Sequence, residues 1–372
     1  MKTKRLINVD LLKGFALIVM IEVHIFNEMV LPHIKASSLF LNFINGLVAP
    51  TFIFSSGFAF FLSSKNKLNN LFFFSDEFIK QLKRIFFLIV AGYSLHLPYF
   101  SLQKIIFELD EKKLISLFNF DVLQCIGLGL LVLLILRTSL KNTSIYIKTI
   151  TTLFLVFIIF TPIIWQIDFR SYFHISLATI FNNKYKSLFP IFPWFAFLFA
   201  GNIMGYLYDK YKDQNIDKLI KYSFILGTIL IFISHTLWFY NPIFFDTGFK
   251  ANPLFTLLRI SYLLVLFSLS YIICNKIDLS KSFIIIVSKE TLLVYWLHLQ
   301  IMYRKFLNGN SLVDLYKGSL NLSGVFLGSF LLILIMIVIA YFWNKLKIDF
   351  YDIYRFIFYL FITSLIVLLV LL

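Results

Sequence analysis

Ionisable side chains are concentrated in and around the first apolar stretch of the chain, residues 11–31. Asp10, Lys13, His24 and Glu28 lie in this stretch or at its entry, and His33 follows just beyond it. An imidazole titrates near neutral pH, so it can accept the proton of an attacking amine or hydroxyl, or react itself as a nucleophile. Ionisable groups within a membrane span are costly and are functional candidates by default. The pattern predicts acid–base or nucleophilic chemistry at His24 or His33.

Helical spacing separates the two ends of this stretch. Steps of about 100° per residue bring Lys13 and His24 onto one face of a helix, roughly 16 Å apart along its axis, so they cannot touch. Asp10 is the i,i+3 neighbour of Lys13 near the predicted cytosolic end. Glu28 follows His24 by one turn and can orient its ring. A structural alternative stays open, in which Lys13 extends to the interface and His24 bridges two helices.

Three further histidines, His96, His235 and His298, lie in later apolar stretches at a depth similar to that of His24. Any one of them alone is more often structural than catalytic. Together with His24 they could line one cavity, although the sequence does not show that they meet.

The elements that carry these residues are apolar stretches of about 20 residues, each long enough to cross the hydrocarbon core as a helix. The chain is 60% hydrophobic and 14% charged, with a mean hydropathy of +0.86. We therefore predict an all-α, polytopic integral membrane protein with about 11 transmembrane helices and a single domain over residues 1–372. The predicted spans are 11–31, 39–62, 85–107, 120–137, 145–164, 189–208, 222–240, 254–274, 283–303, 321–343 and 356–372.

The charge distribution predicts the orientation and the partners. More of the 34 Lys and Arg residues lie in segments that are inside when the N-terminus is cytosolic than in the opposite segments. This bias predicts a cytosolic N-terminus and, with an odd number of spans, an outer C-terminus. The net charge of +15 is explained by these loops. We therefore expect a lipid bilayer and no nucleic acid as partner, and localisation in the plasma or inner membrane.

Three later stretches carry small or polar residues inside apolar sequence. Ala49 to Phe58 is interpreted as a small-residue break in a helix, and Asp121 to Gly129 brings a carboxylate and the Gln124 amide into the fourth span. Phe192 to Phe195 precedes Gly201 and Gly205, a spacing typical of close helix packing. Helix packing and interfacial anchoring are the alternative interpretation of all three.

Five stretches, taken in order, carry a resemblance: Arg5 to Gly14 running on to His24, Ala49 to Phe58, Asp121 to Gly129, Pro193 to Gly205, and Ser288 to His298. Together they resemble the catalytic domain of the heparan-α-glucosaminide N-acetyltransferase family and, more distantly, the acyltransferase-3 O-acetylases. The resemblance implies a membrane enzyme that takes an acetyl or other acyl group from cytosolic acyl-CoA as co-substrate. The acceptor would be an amino or hydroxyl group, usually on a glycan or another small polar molecule, on the far side of the membrane.

Such chemistry needs positive charge at the cytosolic entrance and a base near the outer end. Lys13, Lys83 and Arg84 are the candidate phosphate partners. His24 matches the histidine of the acyltransferase-3 relatives, and His33 matches the loop placement in the animal enzyme, so the two remain alternatives as base or acyl carrier.

The other candidates have less defined roles. Gln124 and Ser56 are candidate donors to the thioester oxyanion. Trp194 and His298 are candidate cavity residues. No metal is expected, and a homodimer is left open.

The chain departs from the family pattern at Lys13, where the family usually has arginine. A point charge there replaces a planar bidentate anion ligand. Two other functions stay open from the sequence. One is a transporter or flippase for a glycolipid or polar solute, with the polar first helix as its substrate path. The other is a sensor or scaffold without turnover.

Overall fold

The protein is helical throughout the residues that its computed structural model describes, 6–97, 101–240, 249–305 and 309–371. Helices make up 82% of these described residues, which contain no β-strand. A parallel bridge between Val30 and Leu320 occurs in loop structure. The prediction of an all-α protein is therefore confirmed.

Long apolar helices alternate with short connecting helices along the first half of the chain. In order, α1 to α10 are Ile7–Met29, Pro32–Ser37, Leu39–Asn45, Val48–Lys65, Asp76–Leu95, Leu102–Phe107, Glu111–Leu117, Val122–Ser139, Thr143–Ile159 and Thr161–Gln166.

The same alternation continues to the C-terminus. Helices α11 to α19 are Ile175–Phe181, Ile191–Tyr211, Ile216–Tyr240, Pro253–Lys276, Phe283–Lys289, Thr291–Tyr303, Leu312–Tyr316, Leu322–Asp349 and Tyr351–Leu371. Single 3₁₀ turns lie at Leu68–Asn70, Phe169–Ser171 and Phe249–Ala251.

Polar residues at the helix starts explain several boundaries. Ser75 accepts a hydrogen bond from the backbone N–H of Phe78 at the start of α5, and Asn321 caps α18 through the N–H of Gly324. Each side chain satisfies a backbone donor that the first helical turn leaves free. Such caps fix where α5 and α18 begin.

Every predicted span is occupied by one helix or by two consecutive helices. Within the described residues, six stretches are long and apolar enough to cross a membrane, or seven if the bent pair α15–α16 counts as one span. The six are Leu39–Lys65, Val122–Ser139, Ile191–Tyr211, Pro253–Lys276, Leu322–Asp349 and Tyr351–Leu371. The count of about 11 and the orientation of the N-terminus stay predictions.

Three local predictions differ from the structure. The third span was placed at 85–107, but α5 already begins at Asp76, because a Ser75 cap and two acidic residues start a helix that is charged in its first turns. Residues 98–100 of that span lie outside the described residues.

The interruption predicted within Ala49 to Phe58 lies earlier, between Asn45 and Val48, since Pro50 falls in the first turn of α4, where proline is tolerated. The ninth span is bent by 87° between α15 and α16.

The chain divides into two compact units. The mid-chain unit comprises residues 49–98 and 110–271 together with 1–3, and the terminal unit comprises residues 4–48, 99–109 and 272–372. The prediction of one domain stays a prediction.

In the terminal unit, α1 is the central element. It packs against α15, α16 and α18, and α18 in turn packs against α15 and α19. Gly14 permits the close approach of α15, because a Cβ there would overlap the backbone of Ile284. The loop before α18 is hydrogen-bonded to the end of α1, where the N–H of Leu320 donates to the carbonyl of Met29 at 2.8 Å.

In the mid-chain unit, α12 is the central element. It packs against α8, α9 and α13, and α5 packs against α8. A Cβ at Gly201 would overlap the carbonyl oxygen of Phe54, and one at Gly57 would overlap that of Leu198. The packing interpretation of these small residues is therefore confirmed.

Candidate functional site

Two of the predicted histidines meet in the terminal unit. The ring centroids of His24 on α1 and His298 on α16 are 5.4 Å apart. Tyr303, at the end of α16, places its hydroxyl 3.4 Å from Nδ1 of His24, and its ring stands edge-on to the imidazole. The half-buried His24 is thus held between two side chains of one neighbouring helix.

His298 is fully buried, with 0% of its surface exposed. Its Nδ1 lies 2.7 Å from the carbonyl oxygen of Val294, and a carbonyl only accepts, so Nδ1 carries the hydrogen. In the neutral ring Nε2 is then a bare acceptor, and it has no hydrogen-bond partner among the described residues. A buried polar atom without a partner costs free energy unless a ligand or water satisfies it. The His24–His298 pair therefore has unused hydrogen-bonding capacity.

The entry of α1 carries an ion pair. The ammonium of Lys13 lies 2.8 Å from Oδ1 of Asp10, and their side chains are 22% and 6% exposed. The predicted contact between the two is therefore present. Because the carboxylate already balances the ammonium, Lys13 is a weaker phosphate ligand than an isolated cation would be. Its role toward a phosphate stays a prediction.

The remaining first-helix candidates occupy other positions. His33 lies in the short helix α2 and is exposed. Glu28 is half-buried, and its backbone carbonyl accepts a hydrogen bond from Gly318. Its predicted action on the ring of His24 stays a prediction.

Glu22 is a further carboxylate of α1, beside Asp10 and Glu28. With the amide of Asn45, at the end of α3, oriented so that its nitrogen faces Glu22, that nitrogen donates to Oε2 at 2.8 Å. Oε1 is buried and has no hydrogen-bond partner within the described part of the chain. Glu22 thereby links α1 to α3 while keeping one acceptor available.

In the mid-chain unit, Gln124 lies in the first turn of α8 and is 1% exposed. Neither polar atom of its amide has a hydrogen-bond partner among the residues that the structure describes. Gly92 makes room for this amide, because a Cβ there would lie 2.6 Å from Oε1 of Gln124. The amide can donate to a ligand oxygen, whereas Ser56 already donates its hydroxyl to the carbonyl of Phe52 at 2.8 Å. The role of either residue as an oxyanion donor stays a prediction.

The two other histidines have partners of their own within this unit. Nε2 of His96, at the end of α5, lies 3.2 Å from the carboxylate of Asp121, which caps α8. His235 is exposed and lies 3.2 Å from the hydroxyl of Tyr262. Of the four histidines at similar predicted depth, the structure brings His24 and His298 together.

The other candidates of this unit are an indole and two cations. Trp194 is buried among Phe189, Phe197 and Phe255, with an indole N–H that has no partner in the described ranges. Lys83 and Arg84 are exposed within α5. Their charge is thus accessible to an anion, while their predicted role at a phosphate stays a prediction.

The family described as "Heparan-alpha-glucosaminide N-acetyltransferase, catalytic" matches residues 5–243. The chain belongs to this family. The match contains the first helix with His24 and the three stretches Ala49 to Phe58, Asp121 to Gly129 and Pro193 to Gly205, while α16 with His298 lies beyond it. Among curated proteins, a search finds no match to the chain.

Membership in the heparan-α-glucosaminide N-acetyltransferase family, together with the apolar helices, identifies a multi-pass membrane protein of the acetyltransferase type. This agrees with the resemblance drawn from the sequence. Among the described residues, no group of three or more His, Cys, Asp or Glu side chains is arranged to hold a metal ion.

Sequence reasoning missed Tyr303 and the pairing of His96 with Asp121. Tyr303 is five residues after His298 on α16, a spacing that gives no shared helix face, so no pattern in the chain indicated its approach to His24. Asp121 did carry a signal, because an aspartate directly before an apolar helix is a common N-cap.

Proposed function

We propose that this protein transfers an acetyl group from cytosolic acetyl-CoA to an amino or hydroxyl group of a glycan on the extracytoplasmic side, with His24 as the general base. The observation that carries the proposal is the contact of His24 with His298 and Tyr303 in a chain of this acetyltransferase family. Family membership favours group transfer over the transporter and scaffold alternatives.

The proposed step is a single displacement at the thioester. The acceptor nitrogen or oxygen attacks the acetyl carbonyl carbon, the C–S bond breaks, and the acceptor proton passes to His24. The departing thiolate takes up a proton to give free CoA. Tyr303 and His298 hold the imidazole in place, since a base must lie within hydrogen-bond reach of the proton that it removes.

The other candidates serve binding in this proposal. The exposed Lys83 and Arg84 provide positive charge for the phosphates of CoA, with Lys13 in a lesser role because of Asp10. The unpartnered amide of Gln124 donates to an oxygen of the acyl donor. His24 is preferred to His33 as the base because His33 is exposed in α2, outside the histidine pair.

The test is acetyl transfer by the purified protein in nanodiscs, with radiolabelled acetyl-CoA and a panel of amino sugars and glycans. We expect His24→Ala to lower kcat by roughly 10²- to 10⁴-fold, the usual contribution of a general base, and His33→Ala to leave it within about threefold. Label that stays on the protein when acceptor is omitted, and disappears with His24→Ala, would replace direct transfer by an acetyl-imidazole route. Full activity of His24→Ala would rule out His24 as the base.

A further inference from the structure

A small cavity lies between two connecting segments of the mid-chain unit. Its volume is about 240 Å³, and it is lined by Glu111, Leu114, Ile115, Arg170, Phe173, His174 and Ile175. The segments are α7 and the stretch from the 3₁₀ turn Phe169–Ser171 to the start of α11. Both belong to loops that the charge pattern predicts on the outer side. Ligand sites are typically concave and mainly apolar, with a few placed polar groups, and this cavity has that composition.

The polar rim presents both signs of charge. A guanidinium nitrogen of Arg170 lies 2.5 Å from a carboxylate oxygen of Glu111, and both side chains are exposed. The hydrogen bond to Glu111 raises the pKa of Arg170, so the guanidinium keeps its positive charge. The carboxylate would repel a phosphate or sulfate placed against the guanidinium. Together the two planar groups can accept from and donate to neighbouring hydroxyls of a neutral ligand.

His174 adds an imidazole whose Nδ1 is already engaged. This nitrogen caps α11 by accepting the backbone N–H of Ser176 at 3.4 Å, and it lies 3.0 Å from the Ser176 hydroxyl. The ring is also held edge-on by Phe118, at a centroid distance of 6.3 Å. The imidazole therefore has a supported orientation at the cavity wall, with Nε2 as its second ring nitrogen.

Phe173 provides an aromatic wall, and Ile175, which is buried, is an apolar lining residue. The ring of Phe173 is stacked on Phe181 at 6.1 Å, and Phe181 is stacked on Phe169 at 4.6 Å. An aromatic face beside hydroxyl-binding planar groups suits a pyranose ring, which is apolar on its faces and polar at its edge.

From this arrangement we infer that the cavity between α7 and α11 is a subsite for one sugar ring of the acceptor, contacted by Glu111, Arg170, His174 and Phe173. The inference rests on the proposed function for the identity of the acceptor as a glycan. The cavity is smaller than a drug-sized pocket, which limits the occupant to about one ring.

Binding and turnover test the inference separately. Saturation-transfer NMR on the protein in nanodiscs, with glucosamine as the probe, reports binding without any acetyl transfer. We expect the wild-type protein to saturate the ring protons of glucosamine, and Arg170→Gln and Leu114→Phe to abolish the signal. Lys112→Gln, an exposed charge on α7 that does not line the cavity, is the matched control and should leave it unchanged.

A charge exchange separates ligand binding from a purely structural ion pair. The double variant Glu111→Arg/Arg170→Glu keeps a pair between α7 and the 3₁₀ turn but exchanges donor and acceptor positions. If the pair only joins two loops, the exchange restores the glucosamine binding that the single variants lose, and the inferred contact of Glu111 and Arg170 with the sugar is wrong. If the pair contacts the sugar, the exchange stays defective.

In the acetyl-transfer assay, we expect Arg170→Gln to raise the KM for the acceptor about tenfold, with the KM for acetyl-CoA unchanged. Acetyl transfer with unaltered acceptor KM and unaltered glucosamine binding in Arg170→Gln overturns the subsite while leaving the proposed function intact. Glucosamine binding without acetyl transfer by the wild-type protein overturns the proposed function and leaves the subsite standing. Stronger binding of sulfate than of glucosamine at this cavity also overturns the inference.

Discussion

Two helix–helix interfaces, here called seams, lie one in each unit and differ in the residues that they bury. One buries glycines and the other buries polar rings. In the mid-chain unit the glycine seam, Gly57, Gly201 and Gly205, lets the backbones of α4 and α12 touch. In the terminal unit the histidine seam, His24, His298 and Tyr303, places three polar rings between α1 and α16. Small residues at a helix interface indicate packing, whereas unsatisfied polar groups at one indicate a ligand or a reaction.

The contrast lies in what each seam leaves unused. At Gly201 and Gly57 the space for a side chain is already filled by carbonyl oxygens of Phe54 and Leu198, so the seam is complete as it stands. At His298 a buried nitrogen keeps a lone pair that no described residue engages. Substitutions in the glycine seam should therefore damage folding first, and substitutions in the histidine seam should damage activity first.

The largest effect is expected in the glycine seam. Gly201→Ala places a methyl group into the carbonyl of Phe54, so α4 and α12 must separate, and we expect a loss of about 3 kcal/mol in the free energy of unfolding. Thermal unfolding in nanodiscs measures it. Gly328→Ala is the matched control, because its nearest atom would be Cγ2 of Ile25 at 3.9 Å. That variant should be neutral or gain up to about 1 kcal/mol. Equal losses in both variants would contradict the packing role of the seam.

The second effect concerns the histidine seam. His298→Phe keeps a ring of similar size against His24 but removes the bond to Val294 and the Nε2 lone pair. We expect kcat to fall about 100-fold, the scale of losing a group that orients a reactive side chain, with little change in the melting temperature.

His235→Phe makes the same substitution at an exposed position and serves as the control. It should leave kcat unchanged. The assignment of folding to the glycine seam and activity to the histidine seam would be wrong in either of two cases. In one, His298→Phe destabilises the protein as much as Gly201→Ala is expected to. In the other, both histidine variants lose activity equally.

The sequence predicted the individual helices well, and it predicted their boundaries and the contacts between them poorly. Hydropathy placed α8 and α14 within a few residues, because an uninterrupted apolar run marks a span directly. It placed the start of α5 too late, since the charged first turns of that helix resemble a loop. The bend between α15 and α16 has no hydropathy signal, because both halves are apolar.

The site was predictable in its residue types and less so in its partnerships. The depth of His24 and His298 in their apolar stretches made both of them candidates. The sequence predicted His24 as a base and His298 as a cavity residue, and it did not predict that the two are in contact. Their contact depends on how α1 packs against α16, which no spacing within one helix encodes. The same holds for Glu290 in the ninth predicted span, whose partners, Asn344 and Lys347, lie on α18.

The smallest effect is expected at Glu290, a packing residue next to the helix that carries His298. This residue sits at the bend that starts α16, is 5% exposed, and accepts hydrogen bonds from Asn344 at 2.9 Å and Lys347 at 3.2 Å. It thereby ties α18 to the start of the helix that carries His298 and Tyr303. Glu290→Gln keeps the shape and removes the charge, so we expect kcat to fall about fivefold and the free energy of unfolding by about 1 kcal/mol.

A double-mutant cycle with Lys347→Met isolates the pair, because the second substitution should cost little once the first is present. Lys345→Met, an exposed lysine on the same helix, is the matched control and should change neither quantity. If Glu290→Gln lowers stability while kcat and the pH dependence of turnover stay the same, the bend serves folding alone. If kcat and the pH profile of turnover change together while the protein stays folded, the position of α16 sets the reactivity of the histidine seam. Glu290 then contributes to helix packing and to catalysis at the same time.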